Sequence, residues 1–309
     1  MPIYLSTVSL RHTIRQERLA VRELPAFAAR YEFDGLELSD RLLVGLDAKA
    51  LCDLGCEAAD GGCGMILDVN CDLTYGDAAR REEELTYVQR MLEAAAALRA
   101  DPVRLCLGGQ SLSIQRLVGR RASVPTAGSA GRSVGSPSGL SQWLFSQRLV
   151  QNVSHEFRRR LSSSVLGERT KIDRAADALR RLLPAAERFG RSLAIENHWG
   201  ISARPENITR IVDELDSPLL GTCPDFGNFP RDVDPYDGLR LLAPRARVVH
   251  AKSVDFDDDG EERTIDYRRC LAILGESGFD GPWTVEYLGG GDEVEGCRRT
   301  RELLFRHLG

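Results

Sequence analysis

No run of this sequence approaches the length of a membrane span. Its start, MPIYLSTVSLRHT, has no basic segment followed by an apolar stretch and a small-residue cleavage site. A cytoplasmic protein with no membrane partner is therefore expected. A basic excess is also lacking: 41 Lys and Arg against 46 Asp and Glu leave a net charge of −5. A general nucleic-acid binder is disfavoured, because neutralising phosphates requires a basic face. Paired Cys-x-x-Cys spacings are absent, so the proximity of Cys52, Cys56, Cys63 and Cys71 assigns no zinc cluster. The eight cysteines are scattered, several in apolar stretches such as RLCLGG, and read as reduced, small buried hydrophobes. No internal repeat is visible.

Alternation is what the sequence does have. With 42% hydrophobic and 28% charged residues there is material for a core and a soluble surface, and short β-rich runs alternate with helical patterns. IYLSTVSL (3–10) reads as the first strand, followed by a helix over about 17–31 with Leu19, Val21, Leu24 and Phe27 on one rough stripe. GLELSD, GMILDVN and PVRLCLG supply strands two to four, separated by a helix around 48–59 and a long one after Asp77 that lines up Leu85, Val88 and Leu92. A helix over 173–189 ends at Gly190, a residue suited to the left-handed conformation that closes helices, and RSLAIEN follows as strand five. Pro205 opens the next helix, and strand six lies within PLLGTCPDF. A helix over 235–242, ARVVHAK, a helix over 265–276, PWTVEY and a last helix to about His307 complete eight β/α units. That count predicts an α/β fold of the (β/α)8 TIM-barrel type, one domain over 1–309, in preference to an open doubly wound sheet.

One segment interrupts the alternation. Residues 108–168 are rich in Ser, Gly, Arg and Pro, and hold eight Arg against Glu156 and Glu168, a local net charge of +6. The composition reads as a flexible insertion after strand four, on the face where barrels carry lids and substrate contacts.

Four side chains able to bind a metal fall near the ends of the last four predicted strands. They are Glu196 in LAIEN, Asp225 in CPDFGN, His250 in VVHAK and Glu286 in WTVEY, spaced 29, 25 and 36 residues apart. Each interval is about one β/α unit. Successive strand ends lie side by side around a barrel axis, so residues one unit apart can converge on one ion. Three carboxylates and an imidazole make a hard, oxygen-rich set. Mn2+ is the expected divalent cation, with Mg2+, Co2+ and Zn2+ as alternatives. Lys252, two residues beyond His250, points to the same side of its strand.

Along Ile195-Glu196-Asn197-His198, Pro224-Asp225-Phe226-Gly227-Asn228, His250-Ala251-Lys252 and Val285-Glu286-Tyr287 the sequence resembles the xylose isomerase-like barrels, the sugar phosphate isomerases and epimerases. The likeness covers most of the chain outside 108–168 and is strongest from Leu193 onward. It implies that Glu196, Asp225, His250 and Glu286 bind the cation, with the two glutamates flanking the substrate as acid and base. The pairs Glu196–His198 and His250–Lys252 also resemble the bacterial 3-dehydroshikimate dehydratases of this superfamily, where the His and Lys contact substrate. Asn228 stands where many relatives have a histidine. The related apurinic endonucleases are disfavoured, because their three-zinc site consumes many histidines and this chain has five.

The implied chemistry begins with a cation that chelates a carbonyl and its neighbouring hydroxyl, acidifying the adjacent C–H and stabilising the enediolate left by proton removal. Reprotonation then gives an epimer or an aldose–ketose isomer, and loss of a β-hydroxyl gives a dehydratase. An isomerase or epimerase of a sugar-like small molecule is the leading expectation, and a dehydratase or lyase of a keto-sugar or cyclic polyol is the alternative. Glu196, Glu286, His198 and Lys252 are the candidate catalytic residues, and His198, Asn228 and Lys252 the candidate substrate contacts. A homo-oligomer is compatible with the sequence.

Overall fold

A computed structural model describes residues 1–108 and 165–308. Eight parallel strands follow one another around a barrel: β1 Ile3–Ser6, β2 Gly35–Ser39, β3 Gly64–Cys71, β4 Val103–Leu107, β5 Leu193–Glu196, β6 Leu220–Cys223, β7 Val249–Ser253 and β8 Trp283–Tyr287. Their order is β6-β5-β4-β3-β2-β1-β8-β7. The seam between β6 and β7 is bridged at Thr222–Ala246 and Asp225–His250 without a continuous ladder, so the barrel is nearly closed. Between and after the strands run α1 Arg11–Gln16, α2 Leu24–Arg30, α3 Ala48–Asp60, α4 Ala78–Ala97, α5 Val165–Phe189, α6 Pro205–Leu215, α7 Pro235–Leu242, α8 Tyr267–Glu276 and α9 Glu293–Leu308. Aspartates cap four of these helices: Asp47, Asp77, Asp234 and Asp266 each accept from backbone N–H groups in the first turn of α3, α4, α7 and α8.

Alternation along each strand divides the core in two. Leu36, Leu38, Leu67, Val69, Val103, Leu105, Leu193, Ile195, Val249, Ala251 and Val285 face outward and pack with helical residues such as Leu85, Leu92, Leu179, Ile208 and Leu271 in one large apolar cluster. Inside the barrel a second, small cluster holds Ile66, Ala194, Cys223 and Val248 against Tyr4. Each of those four stands two residues before a charged lumen residue, namely Asp68, Glu196, Asp225 and His250. The lumen therefore has an apolar floor and a charged upper layer, following the strand period of two.

Tyr4 fits this floor because its neighbouring strands present glycine. A Cβ on Gly35 would lie 2.5 Å from the Gly64 carbonyl oxygen and 2.6 Å from the Tyr4 ring. Gly35→Ala is thus expected to destabilise the barrel by about 1–3 kcal/mol through overpacking. Thermal unfolding would show this as a Tm lowered by roughly 3–10 °C, and an unchanged Tm would mean that the floor has slack.

Three boundaries differ from the sequence expectation. Strand one ends at Ser6 because the chain turns there, Ser9 N–H bonding to Ser6 O and Leu10 N–H to Thr7 O. The single helix expected over 17–31 is instead α1, a short 3-10 turn at Val21–Glu23, and α2. The break falls at residues 17–20, where Arg18 takes a left-handed φ of +52 that no α-helix contains, and Pro25 then sits in the first turn of α2, where its missing N–H costs nothing. The insertion expected over 108–168 reaches too far, since α5 already begins at Val165. The flexibility and lid role expected for the rest of that insertion lie outside the described residues, apart from Gly108, which closes β4 with φ +81. Among the described residues no helix is long and apolar enough to cross a membrane.

Candidate metal centre

Glu196 is the last residue of β5, Asp225 lies two residues past β6, His250 is on β7 and Glu286 is the penultimate residue of β8. All four are buried, and one ligand atom from each lies within 4.8 Å of the others. His250 Nδ1 stands at the middle of the group, 3.3 Å from Glu196 Oε1, 3.6 Å from Asp225 Oδ2 and 4.0 Å from Glu286 Oε2. The backbone beneath is pinned. Asn197 and Asp225 exchange hydrogen bonds across β5 and β6, Asn197 Nδ2 donating to Asp225 O at 3.0 Å and Asp225 N to Asn197 Oδ1 at 2.7 Å. Gly227 N–H then takes Asp225 Oδ1 at 2.7 Å, leaving Oδ2 to face the centre.

These atoms fit a cation. Asp225 Oδ2, His250 Nδ1 and Glu286 Oε2 are buried with no hydrogen-bond partner, an arrangement that is costly unless something else satisfies them. The Lys252 ammonium partly does so as an ion pair, 3.0 Å from Asp225 Oδ2 and 2.7 Å from Glu286 Oε2. Electrostatics around the group is strong. Burial raises the Glu196 carboxyl, but the Arg104 guanidinium, together with His198 and His250, outweighs it and holds the group well below the usual carboxylate range. Burial likewise disfavours the His250 imidazolium, yet Cys223, Glu37 and Glu196 push its pKa well above the usual value. A divalent cation would take the place of that proton, and the set of three carboxylates and one neutral imidazole suits a hard or borderline metal.

The remaining sequence candidates gather at the same place. Lys252 Nζ donates to Asn228 Oδ1 at 2.6 Å, and Asn228 Nδ2 donates to Glu196 Oε1 at 3.1 Å, so one amide links the lysine to a proposed ligand. Gly227 makes room for this lysine: a Cβ there would lie 2.7 Å from Lys252 Cδ. His198 stacks on Trp199 with centroids 4.0 Å apart, and its Nδ1 lies 3.2 Å from Cys106 Sγ. Burial lowers the His198 pKa to about 4, with Glu196 opposing, so the ring is neutral at neutral pH. Burial also holds the Cys106 thiol well above its ordinary pKa, and its single S–H points at Glu196 Oε2, 3.1 Å away. A neutral imidazole donates from one nitrogen and accepts at the other, so His198 can bond the Cys106 sulfur and still offer a second polar atom.

Four lumen residues escaped the sequence reading: Glu37, Asp68, Arg104 and Cys106. Cys106 reads as an apolar filler from RLCLGG but is part of the polar layer, Arg104 Nη1 donating to its sulfur at 2.8 Å. The signal was available in strand parity. In GLELS, ILDVN and VRLCL a polar residue alternates with apolar ones, and in a barrel whose outer strand faces are covered by helices such a residue must point into the lumen. Cys106, Glu196 and His198 form a second close trio. We do not read it as a second cation site, because the Arg104 guanidinium lies 2.8 Å from both the sulfur and Glu196 Oε2 and would repel the ion.

A nearly closed eight-stranded parallel barrel with a buried carboxylate–imidazole cluster at the carboxyl ends of its strands has the build of a metal-binding (β/α)8 protein. The chain belongs to the xylose isomerase-like TIM barrel family, whose model matches residues 147–307. It is 30% identical over 109 residues to the 3-oxo-isoapionate decarboxylase of Pectobacterium atrosepticum, covering 35% of this chain and 39% of that protein. The alignment thus spans less than two thirds of that relative's length. Among solved structures, a D-psicose 3-epimerase with D-tagatose from Clostridium cellulolyticum H10 superposes with TM-score 0.67 at 12% identity, covering 100% of this chain and 98% of that one. An IolI protein with a bound zinc atom superposes with TM-score 0.66 at 14% identity, covering 99% and 98%. At such identities the likeness is one of fold.

Proposed function

We propose that this chain is a divalent-metal-dependent isomerase or epimerase of a sugar or sugar derivative, removing the proton alpha to a carbonyl by way of an enediolate. The observation that carries the reading is the convergence of buried Asp225 Oδ2, His250 Nδ1, Glu286 Oε2 and Glu196 Oε1 within 4.8 Å of one another. The cation supplies Lewis acidity that makes the carbon acid accessible to a carboxylate base. Mn2+ is our choice among Mn2+, Mg2+, Co2+ and Zn2+. Glu286 is the candidate base: its Oε2 contacts Lys252 and the ligand set, whereas Glu196 Oε2 is held by Arg104 at 2.8 Å. His198 and Asn228 offer a ring nitrogen and an amide to orient hydroxyls. The family membership and the epimerase neighbour support a carbohydrate-like substrate.

A specific observation favours a second reading. The Lys252 ammonium is buried inside the site, 2.7 Å from the candidate base, where it can protonate a departing β-hydroxyl. That suits a dehydratase or lyase of a keto-sugar or cyclic polyol. The relative named 3-oxo-isoapionate decarboxylase would use a related step, since expelling CO2 from the carbon beside a ketone leaves its electron pair as an enolate, as proton removal from that carbon does.

The test is incubation of the Mn2+-loaded protein with ketoses, inososes and 3-dehydroshikimate in D2O. Solvent deuterium at the α-carbon of at least one compound is expected, and the product separates epimerisation or isomerisation from water loss. No exchange and no product across the panel would count against enolisation chemistry. Chelation has its own consequence. Stripping the protein with EDTA and restoring Mn2+ at about 100 times its Kd should raise stability by about 2.7 kcal/mol. Differential scanning calorimetry would register that as a Tm gain of roughly 5–10 °C, whereas a Tm indifferent to Mn2+ would speak against the site.

A further inference from the structure

Reading Glu196, Asp225, His250 and Glu286 as cation ligands leaves three more charged side chains unexplained. Glu37, Asp68 and Arg104 share the lumen with them, with exposures of 0%, 1% and 3%. Removing such charges from water is expensive, so each must be held by good partners. Their contacts form a closed circuit. Arg104 Nη1 pairs with Glu196 Oε2 at 2.8 Å, while its Nη2 pairs with Asp68 Oδ1 at 2.9 Å and reaches Glu37 Oε1 at 3.5 Å. The other oxygen of Glu37, Oε2, lies 2.9 Å from His250 Nε2. His250 Nδ1, 3.3 Å from Glu196 Oε1, completes the loop.

We propose that Arg104 and Glu37 are positioning residues that join Glu196 to His250 and set which atom of each faces the cation. This rests on the ligand reading above. Arg104 occupies Glu196 Oε2, so Oε1 is the oxygen presented to the centre. Glu37 accepts the Nε2 proton of His250, which fixes the ring tautomer and orientation and turns the Nδ1 lone pair to the same point. Asp68 Oδ1 holds the other arm of the guanidinium at 2.9 Å. The planar fork of arginine is needed here, because one point charge cannot serve Glu196 and Asp68 at once.

The experiment compares wild type, Glu37→Gln, Arg104→Lys and the double variant, reading Mn2+ affinity by isothermal titration and the visible absorption of the Co2+ form. Each single variant should bind Mn2+ roughly 10–100-fold more weakly and show an altered Co2+ spectrum. The double variant should lose less than the product of the two losses, because both residues act through one circuit. A residue that merely supports the fold would lower Tm while leaving the affinity and the Co2+ spectrum of the folded protein unmoved. That result in the single variants would overturn the proposal. If Arg104→Lys does not fold, Glu37→Gln decides, since glutamine is isosteric and leaves Arg104 paired with Asp68 and Glu196. A wild-type protein that binds neither Mn2+ nor Co2+ would overturn the ligand reading itself, and this proposal with it.

Discussion

Glu286→Gln is expected to lower kcat by roughly 10³–10⁴-fold, because one substitution removes both a ligand charge and the candidate base. Glu286 is 5% exposed and its Oε2 pairs with the Lys252 ammonium at 2.7 Å, a contact that the glutamine carbonyl can still accept. The amide keeps the volume and leaves the neighbouring Lys252 a carbonyl oxygen to bond. Folding should therefore survive while Mn2+ affinity weakens and turnover collapses, a split read by measuring kcat at saturating Mn2+ alongside circular dichroism. Turnover at the wild-type level would remove Glu286 from the reaction.

For Lys252→Met the expected result is a fall in kcat of roughly 10²-fold or more with metal content unchanged. Lysine is not among the proposed ligands, yet its ammonium sits 3.0 Å from Asp225 Oδ2 and 2.7 Å from Glu286 Oε2. Burial works against the ammonium, but those carboxylates outweigh it and raise its pKa above the ordinary lysine value, so the group is charged at neutral pH. A fixed positive charge there can stabilise a developing oxyanion or donate a proton to a leaving hydroxyl. Methionine fills the volume without the charge. It removes the competitor for Asp225 and Glu286, so Mn2+ should bind at least as tightly, as elemental analysis after gel filtration would reveal. Full kcat, or loss of metal together with activity, would return Lys252 to a structural role and weaken the lyase alternative.

How far the site could be read from the chain depended on the kind of signal. Glu196, Asp225, His250 and Glu286 are legible because a barrel converts an interval of one β/α unit into adjacency, and the polar residue at each strand end interrupts an apolar run. Lys252 follows from strand parity with His250 and from the His250–Lys252 pair that resembles the 3-dehydroshikimate dehydratases. Glu37, Asp68 and Arg104 obey the same parity, but they lie on strands without a matching motif, and a lone charge in a strand is equally the sign of a solvent-facing edge. Only the knowledge that helices cover the outer face turns GLELS and VRLCL into lumen-facing charges. Helix ends read well where one residue decides them locally, as at Gly190 with φ +62 and Pro205 at the start of α6. They read poorly at 17–31, where an apolar stripe suggested one helix and the left-handed turn at Arg18 divides the segment.

What the sequence determined by itself, then, is the repeat of strand and helix, the eight-unit count and the identity of the side chains offered at the last four strand ends. These are properties of period and spacing, which local backbone geometry sets. What only the tertiary structure decided is which atom each side chain presents and what stands behind it: that Arg104 takes one oxygen of Glu196, that Glu37 takes the far nitrogen of His250, and that Cys106 belongs to the polar layer. Those pairings join β2, β4, β5 and β7 across the barrel lumen, over separations as large as the 213 residues between Glu37 and His250. No local pattern encodes them, because they follow from the stagger of strands around a closed sheet and from the need of every buried charge for a partner.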